Sequence, residues 1–258
     1  MSRQNSPLVT QRNAALVQRI QELKAEHPFW GYRRIWAYLH FVEQHPVNKK
    51  RILRLMREHH LLVQPNLRLK AKRTPTGRKP KPTKPHEWWG IDMTKVLVQG
   101  FGWVNIVVVL DWYTKAIVGY YAGSQCTARH WLVALDMAVN RQFPAGVRER
   151  DLSLMSDNGC QPTSTAFMRA CGTLAIHQAF TSYNNPKGNA DTERVMRTLK
   201  EECLWLNEWT CPLALIKALS NWIEWYNEHY LHSALGYKAP RQFEREYHFS
   251  HGTQLPAA

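Results

Sequence analysis

Acidic residues are scarce relative to basic ones in this sequence. Its 258 residues carry 34 Lys+Arg against 20 Asp+Glu, a formal net charge of +14. A surplus of that size points to a polyanionic partner, most often nucleic acid. Cysteine is also sparse. The five (Cys126, Cys160, Cys171, Cys203 and Cys211) are odd in number and form no C-x-x-C pair. That pattern argues against a disulfide scaffold and a zinc ribbon and fits a reducing cytosol. No run approaches the roughly 20 consecutive apolar residues of a membrane helix. The opening MSRQNSPLVTQRN lacks the apolar stretch of a secretory signal. The expectation is a cytoplasmic protein with no membrane partner. Internal repeats and long low-complexity tracts are missing too. What is present is 44% hydrophobic residues, enough to bury a core and to exclude a disordered tail. At roughly 100–200 residues per domain, the length suggests one or two domains.

The charge is unevenly spread. From Val47 to Lys84 there are thirteen basic residues and one acid, Glu58, a net +12 within 38 residues. Residues 1–46 carry a net +3 and residues 85–258 a net −1. The excess sits in one stretch, so the molecule has two parts.

Residues 8–60 read as helices: LVTQRNAALVQRIQELKAEH up to Pro28, YRRIWAYLHFV after Gly31, and VNKKRILRLMREHH after Pro46. In the last, Val47, Ile52, Leu55 and Met56 can face inward while Lys49, Lys50, Arg54 and Arg57 face outward. Short helices ending in a basic one describe a helix-turn-helix, whose second member can lie in the major groove. A small bundle with a solvated basic face is the alternative. Residues 64–85 are rich in Pro, Lys and Arg with almost nothing apolar, and read as an extended basic linker suited to phosphate contact. After Pro85 the pattern turns to strands: WWGIDMTKVLV, WVNIVVVLDWY and KAIVGYYAG, separated by hairpin-like loops. Helix, strand, helix, strand and two further helices follow. That order suits an α/β domain with a mixed five-stranded sheet. The expected division is 1–63 helical, 64–85 linker, 86–246 catalytic core and 247–258 tail.

Three carboxylates fall where this architecture gathers side chains. Asp92 lies in the first strand, Asp157 just past the fourth, and Glu193 in the first turns of the helix opened by NPKGNADTERV. Asp within a strand is unusual and costly without a partner. Three grouped carboxylates repel unless cations neutralise them, and oxygen-only sites suit Mg²⁺ or Mn²⁺. Two such ions about 3.5–4 Å apart can activate a water or a 3′-hydroxyl and stabilise a leaving oxygen. Each residue also has an ordinary reading. Asp92 could pair with Lys95, Asp157 with Asn158-Gly159 is a turn signal, and Glu193 could complement the helix dipole. Asp111, Asp191, Glu201 and Glu202 are rivals.

Taken in order, xWxxDxT, SDNG and NxxGNAxxE resemble the DDE transposase and retroviral-integrase superfamily. More narrowly they resemble the OrfB transposases of insertion sequences that encode OrfA and OrfB. FWGYRRIWAYL with HPVNKKRILRLMREHHLL is similar to the helix-turn-helix of those proteins, and YNEHYLHSALGYKAPRQF to their closing motif, so the resemblance covers most of the chain. It implies an RNase H-like core and a metal-binding triad of Asp92, Asp157 and Glu193, with 35 residues between the last two. It also implies a DNA-contacting Lys200, seven residues past Glu193; on a helix, Lys200 and Arg197 would face as Glu193 does. Asn158 and Asn189 match polar positions beside the triad. Tyr230-Leu231-His232 departs from the family's Arg-Pro-His-like stretch, and no histidine-cysteine zinc pattern is present.

The implied function is metal-dependent cleavage of DNA at element ends followed by strand transfer, with two Mg²⁺ (or Mn²⁺). The implied partners are double-stranded DNA (terminal inverted repeats and target), an OrfA or OrfA–OrfB fusion product, and further copies of the chain to synapse two ends, in the bacterial cytoplasm on the nucleoid. A catalytically inactive DNA-binding protein and a structure-specific nuclease of the same fold are the alternatives. Among the tryptophans, Trp103, Trp112 and Trp131 are expected in the core. Trp88 and Trp89 are expected in the core or on a base-stacking surface, and Trp205, Trp209, Trp222 and Trp225 in helix packing or a protein interface.

Overall fold

A computed structural model describes residues 7–63, 80–181 and 188–252. The chain divides into two compact units, Met1–Arg73 and Thr74–Ala258. Most of the expected linker, residues 64–79, lies outside the described residues.

The first unit is helical. Helix α1 (Pro7–Glu26) is followed by α2 (Tyr32–Ala37), which runs on as a π-helical turn (Tyr38–Val42), and by α3 (Lys49–Glu58). The α3 start follows from Asn48, whose side chain accepts from Lys50 N at 2.8 Å and satisfies one of the helix's open donors. Leu16, Ile20, Leu23, Ile35, Leu39, Ile52, Leu55 and Met56 form the core. The residues read as inward-facing are buried, Val47 included. Lys50, Arg54 and Arg57 are exposed along one stripe, and Lys49 is half-buried with its ammonium 4.0 Å from the Trp36 ring centre.

The second unit opens with the meander β1 (Trp88–Val98), β2 (Gly102–Asp111) and β3 (Ile117–Gly123). Gly100 and Gly102, both at positive φ, make the β1–β2 turn. Then come α4 (Ala128–Gln142), β4 (Ser153–Ser156), α5 (Thr165–Thr173), β5 (His177–Phe180) and α6 (Ala190–Leu199), which continues as a π-helical turn (Lys200–Leu204). Helices α7 (Pro212–His229) and α8 (Pro240–Ser250) close the unit. The sheet order is β3-β2-β1-β4-β5, antiparallel in the meander and parallel at β1–β4 and β4–β5. This is the expected mixed five-stranded α/β core with the helical domain before it. Helix α8 runs four residues past the 246 boundary because Pro240 starts a helix that Glu244 anchors inside the core.

Strand alternation decides what each face buries. From β1, Trp89 and Ile91 join the core under α4 and α5, while Val96 and Val98 join the core under α6 and α7. Trp112 and Trp131 are fully buried as expected. Trp103 is a correction: it is 51% exposed. It lies opposite Leu97 near the hairpin's outer end, with the Lys95 ammonium 4.6 Å from its ring centre. Trp89 is buried, Trp88 stacks on Trp112, and Trp205 is exposed while Trp209 and Trp222 are buried. The Tyr230–His232 corner is an aromatic cluster with Tyr226, and Tyr230 is buried.

Candidate active site

Asp92 lies five residues into β1 and on the even-numbered face, the side covered by α6. Asp157 immediately follows β4. The parallel register pairs Trp88 with Ser153 and Gly90 with Met155; continued two residues further, it sets Asp157 opposite Asp92. Neighbouring strands lie about 4.8 Å apart, so Asp157 leaves β4 beside the strand that carries Asp92. Glu193 is in the first turn of α6.

The charges of these residues act on one another. The Asp92 carboxyl is pushed up to about 6, first by burial and then by Asp157 and Glu193, while a hydrogen bond from Met93 N (2.7 Å) and the charge of Lys200 oppose the rise. Four residues singled out in the sequence therefore share one electrostatic site: Asp92, Asp157, Glu193 and Lys200. Asp157 holds its own loop by accepting from Gly159 N at 3.0 Å. Asn158 turns to the neighbouring strand end, donating to Thr181 O at 2.6 Å. Asn189 is buried and donates to Ile91 O at 3.4 Å; its Oδ1 has no hydrogen-bond partner among the described residues. Arg197 is exposed and pairs with Glu201 at 2.9 Å. Lys49, Lys50, Arg54 and Arg57 belong to the helical unit.

The rival acids have structural partners. Asp111 is fully buried and accepts from Thr114 Oγ1 (2.6 Å), Thr114 N (3.1 Å) and His86 N (3.3 Å), which closes the β2–β3 turn. Asp191 pairs with Lys115 at 3.4 Å. Cys171 and Cys203 are buried, which pushes both thiols up to about 12 and leaves them inert fillers.

Sequence reasoning missed the residues beneath the site. A Cβ on Gly90 would sit 2.0 Å from Thr192 Oγ1 and 2.4 Å from Trp112 Nε1, so only glycine lets α6 approach β1 so closely. Trp112 Nε1 donates to Thr192 Oγ1 at 3.0 Å. A glycine two residues before a strand aspartate, on the same face, was the available signal.

The donor set suits a hard divalent cation: three carboxylates without thiol or imidazole. The Asp92 carboxyl is raised by burial first and by the nearby acids second, a rise that the charge of Lys200 opposes. Among the described residues, no three His, Cys, Asp or Glu stand close enough together to grip an ion as they are. The chemistry of the donors fits an ion.

Comparison with known proteins gives the family. Residues 11–68 match an HTH-like domain, and residues 82–186 and 174–240 match integrase core domains. Over 234 residues the chain is 31% identical to the uncharacterized 31.7 kDa protein of insertion element IS407 from Burkholderia multivorans, covering 90% of this chain and 81% of that one. The chain belongs to the insertion-sequence transposase family of the integrase superfamily. Another member, the transposase InsD of insertion element IS2 from Escherichia coli, is 26% identical over 245 residues, covering 88% of this chain and 77% of InsD. In fold the chain resembles a chain of the simian T-cell lymphotropic virus intasome solved with the PP2A regulatory subunit B56 gamma. That match has a TM-score of 0.57 and 19% identity, and covers 86% of this chain and 77% of that one. The work of this family is DNA transposition. No helix among the described residues is long and apolar enough to cross a membrane.

Proposed function

We propose that the chain is the catalytic subunit of a DNA transposase, which cleaves a phosphodiester at each element end and joins the freed 3′-hydroxyl to target DNA. One observation carries this reading: Asp92, half-buried in β1, has its carboxyl raised first by its removal from water and then by Asp157 and Glu193 from two other segments of the chain. Asp92, Asp157 and Glu193 would together hold two Mg²⁺ (or Mn²⁺). When bound, such ions supply Lewis-acid activation of the attacking oxygen and neutralise charge on the phosphate.

The chain's own residues divide the remaining work. Asp92, Asp157 and Glu193 supply the negative charge that holds cations, and they do so when ionised. Lys200 places a fixed cation beside them for a DNA phosphate, and Arg197, one turn earlier, extends that grip along the strand. On the helical domain Lys49, Lys50, Arg54 and Arg57 contact double-stranded DNA at the terminal inverted repeats, the exposed stripe of Lys50, Arg54 and Arg57 entering the groove. Asn189 under α6 and Asn158 at the Asp157 loop support the acids by holding backbone. Synapsis of two ends calls for a homo-oligomer, and an OrfA product is the expected accessory. The site of action is the bacterial cytoplasm, on the nucleoid. We assign 1–63 to DNA binding, 64–85 to the basic linker, 86–246 to the core and 247–258 to a tail.

The test is a labelled terminal-repeat duplex incubated with the full chain and Mg²⁺, wild type against Asp157→Asn. Cleaved and joined strands from the wild type alone are expected. Equal strand transfer by Asp157→Asn overturns the triad. Cleavage without joining identifies a nuclease, and binding without either identifies an inactive DNA-binding protein.

A further inference from the structure

The first turn of α6 is fastened to the sheet at three points, none of which touches the proposed reaction. Gly90 on β1 opens the space that Thr192 Oγ1 occupies. Trp112, just past β2, donates its indole N–H to that same oxygen at 3.0 Å, and both groups are fully buried. Lys115 in the β2–β3 turn pairs with Asp191 at 3.4 Å, and the Lys115 carbonyl accepts from Tyr226 Oη at 3.0 Å on α7. Thr192 and Asp191 directly precede Glu193. On a helix, adjacent residues point about 100° apart, so holding these two side chains fixes where Glu193 projects.

Resting on the triad reading above, we infer that Thr192 is a positioning residue: its hydroxyl, docked on Gly90 and Trp112, sets the height of α6 over β1 and so the reach of Glu193 toward Asp92. The Lys115–Asp191 pair is a second, weaker fastening of the same turn. The arrangement is the outer-shell logic of metal sites, in which a group that never touches the ion orients one that does. Loss of such a partner typically costs about 10–100-fold in metal affinity. Valine keeps the shape of threonine and removes only the hydroxyl that accepts from Trp112 Nε1.

The experiment measures Mn²⁺ binding to the full chain by electron paramagnetic resonance, well below its melting temperature, with end cleavage in parallel. The variants are Thr192→Val, Thr192→Ser, Asp191→Asn and Asp157→Asn. The expected result is a rise of about 10-fold or more in half-saturating Mn²⁺ for Thr192→Val. The same variant should show a matching rise in the Mn²⁺ needed for cleavage, unchanged DNA affinity, and recovery in Thr192→Ser. Asp191→Asn should give a smaller rise and guards against a valine variant that fails to fold. Wild-type Mn²⁺ binding by Thr192→Val and Asp191→Asn, with Asp157→Asn impaired, overturns the positioning role and leaves the triad standing. Undiminished binding by Asp157→Asn overturns the triad reading, and the positioning role with it.

Discussion

Replacing Asp92 with asparagine should stabilise the protein at neutral pH while removing the proposed activity. In the folded chain the Asp92 carboxyl stands at about 6 against an ordinary 3.8, through burial first and the two neighbouring acids second. The sign follows. Below about pH 4 the carboxyl is protonated whether folded or unfolded, and it costs nothing. Between about 4 and 6 the unfolded chain ionises while the folded one keeps its proton, so the penalty accrues. Above about 6 the penalty is complete. A rise of roughly two units corresponds to about 3 kcal/mol. Asp157 and Glu193 are exposed, and water screens their share, so about 1–2 kcal/mol is the working figure. Asparagine can still accept the Met93 N–H bond, so that contact is not lost. For a unit of this size the figure corresponds to a rise of roughly 2–8 °C in melting temperature. The assay is thermal unfolding of the full chain in a chelator, following the transition of the second unit, at pH 7.5 and at pH 4.5. Asp92→Asn should melt higher at pH 7.5, and most of the difference should vanish at pH 4.5. Equal or lower melting at pH 7.5 would refute the claim that the site holds uncompensated negative charge.

Three further outcomes are expected. Changing Lys49, Lys50, Arg54 and Arg57 together to alanine should weaken DNA binding and flatten its salt dependence, measured by fluorescence anisotropy across a salt series. Unchanged affinity at low salt would make α3 a merely solvated face. Glu244→Ala should cost about 3–5 kcal/mol in urea unfolding, because Glu244 pairs with buried His86 at 3.1 Å and with Arg241 at 3.2 Å; a loss under about 1 kcal/mol would contradict a buried ion pair there. In the native chain a thiol reagent should modify exposed Cys160 and Cys211 and spare Cys171 and Cys203, whose thiols burial has pushed up to about 12. Modification of all five before unfolding would contradict that burial.

Much of the fold was legible because period decides burial. The meander strands, α4, β4, α5 and β5 fell where alternating or helical apolar patterns placed them, and Lys50, Arg54 and Arg57 lie outward because Ile52, Leu55 and Met56 must lie inward. Trp103 shows the limit. Its alternation is that of a core residue, yet it and its partner Leu97 are both exposed near the hairpin's outer end, and which stretch of a strand another element covers is not written in the strand. Helix α6 is similar: the sequence implied a helix to about Trp205, and the last turn is π-helical, with Lys200 at its start.

The candidate site divides along the same line. The sequence by itself determined the chemical inventory: one aspartate within a strand and one just past a strand, a glutamate opening a helix, a lysine two turns on, and a separate +12 stretch to meet a polyanion. Composition and spacing suffice for that, since charge and period are local properties. Only the tertiary structure decided which acids stand near one another. Parallel pairing of β1 with β4 puts the strand that leads into Asp157 beside the one that carries Asp92, while Asp111 and Asp191, equally plausible in sequence, are taken up by Thr114 and Lys115. It also decided that Gly90 matters, because a missing side chain has meaning only when another element occupies the space it leaves. Electrostatic coupling and close approach depend on distances between elements far apart in the chain, and strand pairing and helix docking set those distances.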